Sequence, residues 1–286
     1  MIIPVSWQLL ALPVTVAVLV GLLAGAVGAI ALIERRIFLA ESLTHSTFPG
    51  AVAGVVVAAW AVPAIWGGRA GYAVLSVAIL VGAALMCLPM LALARWLQGV
   101  PGVSAQAAAG AVLSTGFALG YLLSTWFAPL PLKVDGFLAG SLLNVKTTDA
   151  WTAGVCLALT ALLLVTAGPR LAFHAFDPVG HRASGMSARA ADAAVMGMVC
   201  VAIVVLVPSL GTILPIALIA APAAAVVPWV RSVHALVIGS ALVGAGCALA
   251  GLAVAVLGEL SAGGCIGALC ALVWAGSVGT RRALSA

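Results

Sequence analysis

Long runs of apolar residues, each broken by a few charged or turn-forming residues, repeat along the whole chain. A helix of about 20 such residues crosses the ~30 Å hydrocarbon core of a bilayer. The pattern predicts about nine spans, near residues 9–33, 38–66, 72–94, 104–127, 149–168, 191–209, 211–230, 234–258 and 263–280. Between residues 191 and 230, Pro208, Gly211 and Pro215 allow either two spans or one broken helix. The predicted fold class is an all-α polytopic membrane protein of eight to nine helices, in a single domain over residues 1–286.

Composition supports this class. Of the 286 residues, 65% are hydrophobic and 7% are charged, whereas soluble domains carry about 25% charged residues. The first apolar run is too long for a removable signal peptide and lacks the expected layout around it. The cysteines form no CxxC pair and all lie in apolar runs, where we interpret them as small residues packed between helices. They are Cys87, Cys156, Cys200, Cys247, Cys265 and Cys270.

Charged residues between the runs predict the orientation. The basic residues fall in alternate connections: Arg35, Arg36, Arg95, Arg170, Arg182, Arg189, Arg231, Arg281 and Arg282. The remaining connections hold a nearly balanced set of Arg69, Lys133, Asp135, Lys146, Asp149 and Glu259. Because cytoplasmic loops are enriched in Lys and Arg, the N-terminus is expected outside and the C-terminus in the cytoplasm. The net charge of +5 therefore needs no nucleic-acid partner.

Glu41 and His45 are the candidate functional side chains, because ionisable residues at membrane depth are costly and usually functional. Their i, i+4 spacing places them on one face of a helix. With Arg36 at the interface, Glu41 lies ~7 Å and His45 ~13 Å into the membrane. A carboxylate with an imidazole suits a divalent cation such as manganese, iron or zinc. The alternative is a hydrogen-bonded Glu–His pair that only joins helices.

The surroundings of this pair could complete a cation path. Pro49 cannot donate to the carbonyl oxygen of His45, four residues earlier, so that oxygen is free and the helix can kink. Three hydroxyl residues can line a wet path, namely Ser42, Thr44 and Ser46. One chain supplies only two side-chain ligands, whereas a two-fold homodimer would supply four.

A polar segment over residues 169–190 contains the signals of a short helix. Asp177 is a candidate N-cap, Pro178 occupies the first helical position and Gly185 is a stop signal. The segment is basic, and it is either a docking element or an ordinary cytoplasmic loop. The sequence contains no Walker A motif, so the chain cannot hydrolyse ATP alone, and it contains no HExxH motif of a zinc protease.

Residues 38–50, FLAESLTHSTFPG, resemble the signature FLGDALSHAxLPG of the zinc/manganese/iron ABC-importer permeases. Weaker likenesses follow in the family's order at residues 136–149, 176–185, 211–225 and 259–263. The resemblance implies a type II ABC-importer-like bundle in the bacterial plasma membrane. It also implies a second permease copy or paralogue, a cytoplasmic ATP-binding subunit and an extracytoplasmic metal-binding protein, with no permanently bound cofactor.

The resemblance also implies residue roles. Glu41 and His45 would be transient metal ligands, and Glu259 a candidate at the outer entrance. Residues 170–190 would be the segment that couples to the ATPase, through Asp177, Pro178, Arg182 and Gly185. Three positions depart from the family pattern: Glu41 stands for aspartate, Val179 for an acid and Ser261 for proline.

The expected function is import of a divalent transition-metal ion, with manganese or zinc favoured and iron open. The absence of Cys and Met near residues 41–45 disfavours copper(I). Two alternatives stay open: a permease for a metal chelate, and a stand-alone secondary transporter or intramembrane enzyme. A permease for a metal chelate needs a wide apolar cavity without metal ligands. A stand-alone secondary transporter or an intramembrane enzyme needs no ATPase.

Overall fold

The computed structural model describes residues 7–66, 71–130, 142–212 and 214–285, and within these ranges it contains helices and turns but no strand. The α-helices are α1 (Trp7–Ile33), α2 (Ile37–Trp66), α3 (Tyr72–Gln98), α4 (Ala105–Trp126), α5 (Thr147–Phe176), α6 (Pro178–Ala183), α7 (Ala188–Leu210), α8 (Leu214–Val226), α9 (Val233–Gly258) and α10 (Ala262–Ser285). Short 3-10 helices lie at Leu142–Asn144 and Val227–Trp229. The predicted all-α class is confirmed.

Eight of these helices, all except α6 and α8, are long and apolar enough to cross a membrane. The uncertain region after residue 191 forms two segments, because α7 ends at Leu210 and Gly211 follows with φ +83°. The second segment, Leu214–Trp229, is short. At about 1.5 Å per α-helical and 2.0 Å per 3-10 residue it rises ~25 Å, somewhat less than the hydrocarbon core.

The boundary predicted after residue 168 is wrong. Helix α5 continues through Pro169 to Phe176, and α6 follows directly, so most of the expected polar connection is helical. Proline removes one backbone hydrogen bond, but the bonds on either side of it persist, and membrane helices tolerate such interruptions.

The chain forms two compact units, unit 1 with residues 1–37 and 140–286, and unit 2 with residues 38–139. In unit 1, α1 packs antiparallel against α9 at a close crossing. A Cβ atom added to Gly21 would lie only 2.7 Å from the Cα of Ala245, and one added to Gly25 would meet the backbone of Ser240. Such small residues let helix backbones approach closely.

One end of unit 1 collects the ends of several helices. Glu34 contacts His174 and joins α1 to α5. Arg36 contacts Asp192 and joins α1 to α7. Ser277 on α10 accepts a hydrogen bond from Trp229 in the turn after α8. We call this the basic end, because its connections and helix termini carry Arg35, Arg36, Arg170, Arg182, Arg189, Arg231, Arg281 and Arg282. The opposite end holds Lys146, Asp149 and Glu259. In unit 1 the charged connections therefore alternate as the sequence predicts.

Unit 2 contains α2, α3 and α4. Helices α2 and α3 cross where Gly50 faces Gly82 and Gly54 faces Ala78, so the two helices run antiparallel. Several predicted features lie outside the described residues, namely Arg69, Lys133, Asp135 and the motif-like stretch at residues 136–141.

Candidate functional site

Helix α2 places Glu41 and His45 on a face that is more exposed than the residues around it. Both side chains are half-buried, whereas residues 42–44 and 46–50 are all buried. The helix is continuous through Pro49, so the i, i+4 geometry is kept. Because proline has no N–H, the His45 carbonyl oxygen receives no bond from residue 49. The segment therefore presents a carboxylate and an imidazole together, one turn apart.

Among the described residues, neither side chain has a hydrogen-bonding partner. The Nδ1 atom of His45 is buried and unpartnered, and among the described residues no hydrogen bond or ion pair reaches the Glu41 carboxylate. The arrangement is thus not the hydrogen-bonded Glu–His pair that the sequence left open. A buried polar atom without a partner costs about 1–3 kcal/mol, and a bound cation would relieve that cost.

The neighbouring hydroxyl groups do not line a wet path within the described chain, contrary to the sequence-based expectation. Ser42, Thr44 and Ser46 are buried, with 0–1% of each exposed. Each hydroxyl donates to a backbone carbonyl of its own helix, at distances of 2.6–2.8 Å. Back-bonding of this kind satisfies a hydroxyl inside a helix, and Ser46 Oγ also lies 3.3 Å from the Val112 carbonyl oxygen on α4. The polar character of the site therefore comes from Glu41 and His45.

Helix α4 fixes the position of this part of α2. A Cβ atom added to Gly116 would lie 2.7 Å from the Cα of Ser46, so the two helices touch through backbone. Beside this contact, the Phe117 ring lies edge-on to His45, with ring centroids 6.1 Å apart. Phe117 also lies against Phe48, at 6.3 Å. Aromatic pairs at these separations contribute about 0.5–1.5 kcal/mol, so Phe117 restricts the imidazole.

The second candidate element is α6, at the basic end. The predicted cap is confirmed, since the Asp177 carboxylate accepts a hydrogen bond of 2.7 Å from the Gly180 N–H and Pro178 is the first helical residue. Gly185 follows the helix with φ +77°, a conformation that glycine adopts without strain. The Arg182 side chain donates to the Pro178 carbonyl at 3.1 Å. The sequence signals therefore produce a compact, capped helix.

The surface of α6 has two sides. Val179 is 66% exposed, and Phe176 just before the helix is 71% exposed. His181, by contrast, is buried, with its ring 5.7 Å from Phe173 and 5.1 Å from His174, both on α5. His181 thus holds α6 against α5, while the apolar side chains of Phe176 and Val179 remain exposed to solvent.

A partly buried polar network that the sequence did not predict continues from this contact. His174 Nδ1 lies 2.9 Å from a Glu34 carboxylate oxygen, and the other oxygen lies 3.7 Å from Arg36 Nε. Arg36 is also paired with Asp192 on α7. The network joins α1, α5 and α7 beside α6. The i, i+7 spacing of His174 and His181 was the available signal, although nothing local pointed to Glu34.

Glu259 lies at the opposite end of unit 1, as the C-terminal cap of α9. Its side chain is exposed, and its backbone is left-handed with φ 53° and ψ 36°. Glycine is the usual residue in this position, since a side chain here costs about 1 kcal/mol or more. Glu259 therefore occupies this turn against the backbone preference of a residue with a side chain.

The described residues contain no group of three or more His, Cys, Asp or Glu side chains that could hold a metal ion. One copy of the described chain thus offers the pair Glu41 and His45, which is fewer ligands than a tight transition-metal site requires.

Comparisons with known proteins agree with this architecture. The family model of the ABC 3 transport family matches residues 6–280. The manganese import system permease protein ScaB of Streptococcus gordonii is 24% identical over 258 residues, which cover 90% of this chain and 86% of ScaB. The zinc transport system membrane protein TroC of Treponema pallidum is 26% identical over 228 residues, covering 78% and 72%. PsaBC from Streptococcus pneumoniae, solved in complex with Fab, shares the fold with a TM-score of 0.80, 23% identity, and coverage of 95% and 91%.

Proposed function

The chain belongs to the ABC 3 transport family, and from this premise we propose that it is the membrane subunit of an importer for a divalent transition-metal ion. The observation that carries the proposal is the placement of Glu41 and His45 on one half-buried face of α2, where His45 Nδ1 is buried without a partner among the described residues. Carboxylate and imidazole suit manganese, zinc and iron. The names of ScaB and TroC support manganese and zinc as the transported metals.

We propose that two copies, or this chain and a paralogue, bring two Glu41–His45 pairs together around a two-fold axis, where the metal crosses. Four ligands would then surround the ion, and C2 symmetry is the commonest arrangement of oligomers. The metal ion must bind weakly enough to be released, so the proposed site is a transient binding site or a gate along the path. Phe117, edge-on to His45, would limit the directions from which the ion reaches the imidazole.

Energy would come from a separate ATP-binding subunit, because the sequence has only two lysines, Lys133 and Lys146, and neither lies in a Walker A motif. We propose that α6 docks in a groove of that subunit. The open apolar residues Phe176 and Val179 would enter the groove. Asp177, Pro178 and Gly185 would keep the shape of the helix, and Arg182 would meet the partner's surface. Val179 replaces the acid of the family pattern, so contact at this position would be apolar.

The proposed orientation places the basic end of unit 1 in the bacterial cytoplasm, with the N-terminus outside and the C-terminus inside. Glu259 then lies outside, where an exposed acid can attract cations or meet a basic patch on a metal-delivery protein. Docking of α6 to a cytoplasmic ATPase requires the same orientation, since α6 lies at the basic end.

The test is metal uptake by the reconstituted complex of permease and ATPase in proteoliposomes. Glu41→Ala and His45→Ala should abolish uptake of manganese and zinc while the ATPase still co-purifies. Ser42→Ala is the matched control, because Ser42 adjoins Glu41 and, within the described part of the chain, its hydroxyl donates to the Phe38 carbonyl of its own helix. This variant should transport normally. Glu41→Asp should retain uptake, since it keeps the carboxylate.

Normal uptake by both alanine variants would refute the metal-ligand role. Uptake of a chelated metal in preference to the free ion would instead support a chelate permease. Transport by the chain without any ATPase would identify a secondary transporter. Cross-linking from a cysteine placed at Val179 tests α6 separately, and it should reach the ATPase.

A further inference from the structure

Cys247 on α9 and Cys270 on α10 form a buried pair of thiols. The exposed fractions of the two residues are 4% and 1%, and both cysteines are free. Cys247 lies one turn before Gly251 on α9, and Cys270 lies one turn after Ile266 on α10, so the antiparallel crossing at Gly251 and Ile266 sets the two thiols opposite each other. Neither lies in a CxxC motif, so their proximity arises only when α9 and α10 pack together.

The backbone holds the two thiols in place. One turn from them, α9 and α10 cross at Gly251 and Ile266, where a Cβ added to Gly251 would lie 2.6 Å from the Ile266 Cα. Two turns earlier on the same side of α9, Gly244 meets the backbone of α1 at Gly21. Helix α9 is thus held by close backbone contacts with two helices at different levels along its axis. Two ligand atoms fixed by packed helices make a more precise site than ligands on loops.

We propose that Cys247 and Cys270 form a binding site for one thiophilic divalent cation of the d10 type, with mercury(II) as the representative ion. Thiolates select soft cations, whereas manganese prefers carboxylate, carbonyl and water oxygens. Thiolates are the ligating form of cysteine, so binding exchanges two thiol protons for the metal. Two S–H bonds break, two S–metal bonds form, two protons leave to solvent, and no electron is transferred.

Charge explains the preference for a divalent ion. Two thiolates and one divalent cation form a neutral unit, so no net charge remains among the apolar helices. The same two thiolates around a monovalent ion such as copper(I) would leave one negative charge, and an isolated buried charge is strongly unfavourable. Among the described residues no carboxylate or imidazole joins the two thiols in a metal-ligating group, so the chemistry of this site differs from that of Glu41 and His45.

The experiment measures mercury retention by the full chain purified with its ATPase. The protein is first reduced and desalted, then titrated with Hg²⁺ and washed with glutathione, which removes mercury held by single thiols. Metal content gives the stoichiometry, and mass spectrometry after alkylation in denaturant shows which cysteines are protected. The wild-type protein should retain about one ion per chain, with Cys247 and Cys270 protected.

Variants separate this site from the other cysteines. Cys247→Ser and Cys270→Ser should each weaken retention by about 100-fold or more, because the second ligand no longer binds at a high effective concentration. Cys265→Ser changes a cysteine of the same helix outside the pair and should retain mercury as the wild type does. Thermal midpoints of all variants report that they are folded. Equal retention by Cys247→Ser and wild type, or protection of other cysteines instead, would overturn the proposal.

Discussion

Two glycines of α9, Gly244 and Gly246, provide a matched pair that tests the crossing of α1 and α9. A Cβ at Gly244 would run into the Gly21 carbonyl oxygen, and from the other side a Cβ at Gly21 would lie 2.7 Å from the Ala245 Cα. A Cβ at Gly246 would meet nothing within 4 Å. Non-bonded carbon atoms prefer separations of about 3.5–4.0 Å, so Gly244→Ala must move the helices apart by about 1 Å.

The expected energies follow from this displacement. If the two helices separate by about 0.5–1 Å, each atom pair at the crossing loses about a quarter to a half of its van der Waals energy. Overpacking in a filled core costs about 1–3 kcal/mol in total. Both substitutions also gain about 0.5–1 kcal/mol, because alanine favours a helix over glycine. Gly246→Ala should therefore be neutral or stabilising. The difference between the two variants isolates the overpacking cost of about 1–3 kcal/mol.

The measurement is the thermal midpoint of the purified chain in detergent, followed by tryptophan fluorescence. At about 2–4 °C per kcal/mol for a chain of this size class, Gly244→Ala should unfold about 2–12 °C below Gly246→Ala. Gly21→Ala should behave like Gly244→Ala, since it enters the same contact. Equal midpoints for Gly244→Ala and Gly246→Ala would show that α1 and α9 do not touch through backbone in the protein.

Three further substitutions test other parts of the structure. Glu34→Gln should lower the free energy of unfolding by about 1–3 kcal/mol, because a carboxylate only 6% exposed loses its charge beside Arg36; an unchanged thermal midpoint would contradict this. Asp177→Ala removes the cap on the Gly180 N–H and should cost α6 about 1 kcal/mol, seen as faster hydrogen exchange of the α6 amides and refuted by unchanged exchange. Glu259→Gln should slow uptake most at low metal concentration, and the effect should shrink with added salt because exposed charges are screened beyond ~8–10 Å. Equal uptake across both titrations would leave Glu259 as an ordinary turn residue.

Features encoded by neighbouring residues could be predicted from the sequence. The apolar runs predicted the spanning helices because the bilayer fixes their length. Asp177, Pro178 and Gly185 predicted α6 because capping depends on adjacent backbone groups. Gly21 and Gly50 lie in glycine pairs of four-residue spacing, and both contact a neighbouring helix through backbone. The helix end at residue 168 was wrong since proline alone does not decide where a membrane helix ends.

Contacts between distant parts of the chain could not be predicted. Glu34 and His174 are 140 residues apart, and only the packing of α1 on α5 brings them together. The pairing of Cys247 with Cys270 depends in the same way on a helix crossing. The direction of the Ser42 and Ser46 hydroxyl groups is a third example, because a serine in a helix can bond to its own backbone or face a cavity. Sequence pattern gives the helix face but leaves that choice open.

The buried attachment of α6 affects the free-energy cost of binding a partner. A helix of six residues does not form alone in water, so its cap and the burial of His181 against α5 keep it folded. Phe176 and Val179 are consequently held in position before a partner arrives. Association that must first fold a segment typically loses about 2–5 kcal/mol in ordering it, and α6 avoids that loss. Because His181 lies against His174, and His174 against Glu34, α6 is attached through side-chain contacts to α5 and, beyond it, to α1.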